Sequence, residues 1–462
     1  MVPPWGVHTI RSILTPRAMP FPRSFFSAVL AASLLPSAVL GQTQAVDPEP
    51  AVWDLRFQST YIWQYKPGFN AAYSGANSLT AGREYSTTFS ATAYLGFRPW
   101  AGGEIYFNPE FSQGHAFSQL TGLGGFTNGE VTRASSDSLQ YYRQRLFLRQ
   151  TWGGGGGNEV READLNQLAG AVDRNRVVLT AGNFSVLDVF DNNAYAKDSR
   201  RQFMNWSGMT HASYDYAADA RGFGWGAALE WYQDNWVLRL GRMTGPVTPN
   251  DLPVDFDILN HYGDQIEVER GHQLGTLPGK VRVLLWRNRA VLARYQDAID
   301  WGRANNRAPD IFQVRHSEQF KTGLGINVEQ ALSSTAGVFL RAMQADGGTE
   351  TYAFTEADQS FAAGLSLQGA EWGRPQDTLG LMLAQNGLSA QRRAYLEAGG
   401  ISFFIGDGAL RYQPETIFEI YYSVGLGRHA YLTLDYQRIQ NPAYNADRGP
   451  ADFAGLRLHT EF

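Results

Sequence analysis

From Ala51 to the final residue, apolar and polar side chains take turns with a period of two, in runs of roughly 8–15 residues. Phe320, Thr322, Leu324, Ile326 and Val328 share one face, opposite Lys321, Gly323, Gly325, Asn327 and Glu329. Phe223, Trp225, Ala227, Leu229 and Trp231 oppose Gly224, Gly226, Ala228 and Glu230 in the same way. The last run sets Ala454, Leu456, Leu458, Thr460 and Phe462 against Gly455, Arg457, His459 and Glu461. Successive strand residues point to opposite faces, so this is the signature of β-strands. Turn chemistry separates the runs. They predict strands over 51–65, 83–97, 102–111, 139–151, 176–183, 207–214, 222–233, 236–244, 264–274, 280–288, 318–329, 336–346, 360–368, 377–386, 415–423, 430–439 and 453–462.

The polar faces mix Gly and small polar groups with full charges, as suits a wet interior, while the apolar faces carry few charges. Aromatic residues recur at strand ends: Tyr61, Trp63 and Tyr65; Phe97 and Trp100; Trp231 and Trp236; Tyr421 and Tyr422. Such girdles sit at membrane–water interfaces. The pattern predicts an all-β fold, a transmembrane antiparallel barrel, over 51–462. A soluble β-sandwich also alternates, but it needs no aromatic girdle. Bacterial single-chain barrels have even strand numbers. Seventeen runs therefore resolve to sixteen if 207–214 does not span, or to eighteen if 401–405 joins them.

The N-terminus changes the picture by placing the chain in an export route. Arg11, Arg17 and Arg23 precede an apolar run over 25–35, and small residues follow to Gly41. That order is a secretory signal over 1–41, with Met19 an alternative start and Ala45 an alternative cleavage point. A short lead-in, 42–50, follows. Cleavage removes three Arg and no acidic residue, taking the net charge from −5 to −8. An acidic chain with no Lys/Arg cluster argues against a nucleic-acid partner. With no Cys, disulfides, thiolate metal sites and thiol catalysis are excluded.

Short connections at 98–101, 331–335 and 424–429 read as tight turns, and the Gly153–Gly157 run as a flexible one. The connections 112–138, 184–206, 290–317 and 387–414 are long enough to cap or constrict a pore. Helical spacing occurs at 291–303 and 389–398, with Ser389 placed to cap the second helix and Gly399 to end it.

Several motifs are more specific. Asp435-Tyr436-Gln437 leads into Asn441-Pro442-Ala443-Tyr444-Asn445 and Asp447-Arg448-Gly449-Pro450. Earlier come Phe107-Asn108-Pro109-Glu110, Asp188-Val189-Phe190-Asp191-Asn192-Asn193-Ala194-Tyr195 and Arg200-Arg201-Gln202-Phe203-Met204-Asn205-Trp206. In combination, from about Val52 to Phe462, the chain resembles the carbohydrate-selective porin family of Gram-negative bacteria. The resemblance implies a barrel, usually of sixteen strands, in the cell outer membrane, with inward-folded loops around a narrow eyelet. It implies sugars as transported solutes, passive movement and no cofactor. Phe462, an aromatic ending an alternating strand, resembles the signal read by the barrel-assembly machinery. The resemblance leaves monomer or trimer open.

Sugar selection needs flat aromatic faces and charged or amide groups that bridge hydroxyls. Binding must also stay shallow enough for exit. The candidate pore-lining residues are Glu110, Arg143, Arg145, Arg149, Glu230 and Arg239 on the strands, and Asp191, Asn193, Arg200, Asn205 and Trp206 in the 184–206 connection. Arg56, Lys321, Arg341 and Arg457 are further inward-facing candidates. A general or anion-preferring diffusion pore is the alternative, given the Arg row. Enzymatic chemistry finds little support, with no HExxH pair and no metal-ligand spacing among the eight His.

Overall fold

The computed structural model describes residues 50–462, apart from Arg133, Ser135 and Phe354. The export-signal reading of 1–41 lies outside the described residues. Among the described residues eighteen strands form, of which sixteen close a single antiparallel barrel. They are β1 (Trp53–Lys66), β2 (Glu84–Trp100), β3 (Gly103–His115), β4 (Gln140–Gly153), β7 (Arg176–Phe184), β8 (Gly224–Gln233), β9 (Trp236–Met243), β10 (Tyr262–Leu274), β11 (Leu277–Val291), β12 (Glu318–Ala331), β13 (Ala336–Ala345), β14 (Gln359–Gln368), β15 (Thr378–Gly387), β16 (Glu415–Gly425), β17 (Ala430–Gln440) and β18 (Ala451–Glu461). The other two, β5 (Asn158–Arg161) and β6 (Gly170–Asp173), pair only with each other.

Sixteen of the predicted runs are these sixteen staves. The seventeenth, 207–214, is no strand: Trp206–Met209 is a helical turn capped by the Asn205 side chain, and the segment is buried inside the barrel. Residues 401–405 form no strand either. Closure comes from β1 pairing with β18, from Gln58 opposite Glu461 to Tyr65 opposite Ala454. Every stave thus has two neighbours, so no backbone edge is left open, as a lipid environment demands.

The alternation sorts as the sequence predicts. On β12, Phe320, Leu324 and Ile326 face outward and exposed, while Lys321, Asn327 and Glu329 are buried inward. Girdle rings ring both ends: Trp63, Tyr65 and Tyr85 cluster at one, with Trp53, Phe97, Trp100, Trp152, Trp231 and Trp236 exposed at the other. Tyr421 is an exception, facing inward and buried, with only Tyr422 outside.

Long connections fill the lumen and cover the end opposite the termini. The helix Ala390–Glu397 is capped by the Ser389 hydroxyl, and Gly399 follows in the left-handed region with φ of 87°. The helix Tyr295–Asn305 packs on it through Tyr295 and Tyr395, whose ring centroids lie 5.0 Å apart. These two cover the loop end. Below them, residues 184–223 fold into the barrel and bury most of the wall around them.

Candidate permeation path

The inserted segment is anchored by ion pairs and amide bonds that emerge from the wall. The Arg200 guanidinium reaches Glu110 at 2.8 Å and Glu130 at 2.7 Å, and donates to Thr92 Oγ1 at 3.2 Å. Asp191 accepts from Arg341 Nε at 3.1 Å and from Thr210 Oγ1 at 2.7 Å, and its own N–H donates to Glu267. The amides of Ala194 and Met204 donate to Glu329 and Glu419 at 2.8 and 2.6 Å. Asn193 donates to Asn327 Oδ1 and Asn205 to Gln437 Oε1. Lys321 meets Asp215 at 2.7 Å. Arg457 donates to the carbonyls of Ser199 and Gln202, both at 2.7 Å. A buried charge needs partners: Arg200, Asp191 and Lys321 have the ion pairs given above and Glu329 pairs with Arg282, while Glu419 and Arg457 rely on hydrogen bonds alone.

Electrostatics follow from that packing. Burial pushes the Asp191 carboxyl up, but Arg341, His211 and the Thr210 hydroxyl overcome it and bring it down to about 2. Burial lowers His211 to about 4, partly opposed by Asp191, whose Oδ1 lies 3.4 Å from Nε2. At Asp188, burial is likewise outweighed by Arg145 and the Ser185 N–H, which hold the carboxyl below its ordinary range.

Several expected lining residues are therefore wall anchors. Glu110, Asp191, Asn193, Arg200, Asn205 and Arg239 are all buried. Trp206 is corrected more strongly: it is buried among the loops, parallel to Tyr216 and edge-on to Phe126. Its face is not turned to the lumen.

Arg143 is the second correction, and its cause is one residue. Pro109 has no N–H to give the ladder, and inside a sheet such a residue needs a bulge. The β3–β4 register shifts there, pairing Asn108 with Arg145 but Pro109 with Arg143, so that Gln144 is extra. Tyr142, Gln144 and Arg145 consequently all face inward. Arg143 points out, exposed, with its guanidinium 4.9 Å from the Trp225 ring. The expected row of three inward Arg is a row of two.

Those two line the part of the interior that water reaches. Arg145 grips Asp188, with side chains 13% and 25% exposed, and Arg149 lies 3.8 Å from Glu104, at 20% and 15%. Each guanidinium also lies over rings: Arg145 over Phe223 at 5.1 Å, and Arg149 over Tyr106 at 5.2 Å and Phe147 at 5.4 Å. Above them Arg221 covers Tyr142 at 4.4 Å. Four residues apart on one strand, Arg145 and Arg149 are about 13 Å apart along the barrel wall. Glu230 belongs to another water-reached group nearer the terminus end, paired with Arg239 at 3.0 Å. Asp188, Phe223, Glu104 and Arg221 were missed by sequence reading, because their partners lie far away in the chain. Among the described residues no group of His, Asp and Glu is arranged to hold a metal ion.

A sixteen-strand closed barrel with an apolar outer wall, aromatic girdles and a loop-constricted polar interior is an outer-membrane diffusion channel. A family model, "Carbohydrate-selective porin, OprB family", matches residues 76–462. The chain belongs to that family, and it is a carbohydrate porin of the outer membrane. Its fold is similar to the high-pH structure of OprB from Pseudomonas putida, with a TM-score of 0.65 at 14% identity, covering 89% of this chain and 94% of that one. The low-pH structure of the same protein gives 0.45 at 12%, covering 89% and 92%. The outer membrane channel DcaP of Acinetobacter baumannii gives 0.47 at 9%, covering 89% and 97%. No curated protein matches by sequence.

Proposed function

We propose that the channel passes monosaccharides and short oligosaccharides by passive diffusion along the β4 side of the lumen. The observation that carries this is the ladder of water-reached, paired charges laid over aromatic rings: Arg145–Asp188 with Phe223, then Arg149–Glu104 with Tyr106 and Phe147. The rings are buried beneath the guanidinium groups and hold them in place. The forked donors and carboxylate acceptors bridge neighbouring hydroxyls in either hydrogen-bonding sense. Two shallow stations, rather than one deep pocket, let solute leave as readily as it enters. Arg145, Arg149 and Asp188 are the contact residues under this reading. Glu110, Arg200, Asp191, Asn193 and Asn205 hold the constriction in place.

An anion-preferring pore is less well supported. Arg145, Arg149 and Arg200 each face a carboxylate at 3.8 Å or less, so the row carries little net positive field. The reading further includes 1–41 as a cleaved export signal and Phe462 as the assembly signal. Single-channel conductance in planar bilayers tests it: glucose or a maltodextrin should lower the current in a concentration-dependent way. A current indifferent to every sugar would defeat the selectivity and leave a bare pore.

A further inference from the structure

In the connection between β4 and β7 only the Gly153–Gly157 run is expected to be a flexible turn; the residues after it form a finger that reaches back into the barrel from the terminus end. β5 and β6 form its stem, and at its tip Asp164 and Gln167 exchange two backbone hydrogen bonds, each 3.0 Å. Asn166 takes the left-handed conformation, φ of 54°, which Asn tolerates better than most residues. Three inward-facing wall residues hold the tip. Asn108 donates to the Asn166 side chain at 2.9 Å, Arg149 donates to the Asn166 carbonyl at 2.8 Å, and the Leu168 N–H donates to the Tyr106 hydroxyl at 3.1 Å. Leu168 is buried against the wall, and Gly96 makes room for it: a Cβ there would stand 3.1 Å from the Leu168 side chain and 2.9 Å from Tyr106. At the stem, Arg98 binds the carbonyl of Ala51 and the carboxylate of Glu104, and Ala51 N–H donates to Ala169.

Asn108 lies opposite Arg145 on β4 and Arg149 four residues further toward the terminus end, so the tip they hold sits just under the Arg145–Asp188 station. It also occupies one of the hydrogen-bonding positions of Arg149, the second station. A narrow recess remains between the tip and the wall, lined by Asp54, Arg56, Tyr94 and Asp164.

We propose that residues 158–173 form a second size filter on the sugar path, a floor under the constriction that limits which saccharides leave toward the terminus end. The inference rests on the sugar-porin reading for its solute. Small pyranoses pass between finger and inserted segment, exchanging hydrogen bonds with Arg149 and the Asn166 side chain. Longer or branched oligosaccharides are held back here rather than at Arg145.

Two variants test it. In one, 155–174 is replaced by Asn-Gly, since Gly154 and Asn175 already pair as the next rung of a hairpin and that dipeptide suits a two-residue turn. In the other, Leu168→Asp leaves the length unchanged and expels the tip. Both should raise single-channel conductance by about twofold or more, as a wider pore does. Swelling of liposomes in a trisaccharide should rise relative to glucose, while block by glucose at Arg145 persists. Variants that assemble and keep both the wild-type conductance and the wild-type ratio of swelling rates would overturn the filter. Should the unaltered channel ignore all sugars, the solute reading falls, and the conductance ratio between variants and parent still decides whether the finger narrows the pore.

Discussion

Arg145 and Asp188 form a fork: Nε meets Oδ2 and Nη2 meets Oδ1, both at 2.7 Å, with both side chains partly exposed inside the barrel. The pair joins a barrel stave to the inserted segment. It therefore fixes the geometry of the constriction and sets its local charge.

Removing one partner leaves the other as an uncompensated charge beside the path. Arg145→Ala should shift selectivity toward cations and Asp188→Asn toward anions, read as reversal potentials of opposite sign in a salt gradient. Each should weaken sugar block by about tenfold, the loss of a hydrogen bond to a charged group. Equal reversal potentials for the two variants would place the pair off the path.

Deeper in the lumen, Arg341 and Asp191 are both buried. Arg341→Ala strands the Asp191 carboxylate, at a cost of about 3–5 kcal/mol. The inserted segment should then loosen, seen as proteolytic nicking within 184–223 while the heat-modifiable barrel persists on gels. Resistance equal to the parent would show that the segment is held elsewhere.

Acid should act first through His211. Its folded-state value, lowered to about 4 by burial, lies below the unfolded value of 6.5, so the folded state disfavours its proton. Its stabilising contribution is complete above about pH 6.5 and fades as pH falls toward 4, amounting to about 3 kcal/mol in all. Asp191, held at about 2, adds a second loss below about pH 4. Asp191 and Arg341 are the charged groups beside the ring. Thermal unfolding in detergent should therefore weaken from pH 7 to 4, and His211→Gln should flatten that slope. An unchanged slope would assign the acid response to other groups.

On the outside, Leu324 stands in the apolar band of β12. Leu324→Arg should destabilise insertion by about 2–4 kcal/mol if the residue lies near the bilayer midplane. Refolding into vesicles against a urea series measures it, and a neutral result would move the band.

Much of this was legible in the alternation, because a stave with oil on one side and water or packed polar groups on the other must sort its side chains with period two. Residues 207–214 misled because they are surrounded by protein, and a short apolar run with no lipid face carries no reliable period. Pro109 was visible in the sequence and is the signal for the bulge, yet which side of it Arg143 would take depends on the partner strand. The finger had no such signal. Only the Gly153–Gly157 run leading into it reads as a turn, and the three-dimensional neighbours Asn108, Arg149 and Tyr106 show that it points inward.

The seam between β1 and β18 joins the first stave of the chain to its last. The earliest part of the polypeptide to emerge must therefore wait, its backbone unpaired along one side, until the final residues arrive. Any chain that stops short of β18 presents two raw margins instead of a sealed wall, and neither can rest in hydrocarbon. Completeness of the polypeptide is thereby a physical condition for residence in the bilayer, checked at a single line of hydrogen bonds.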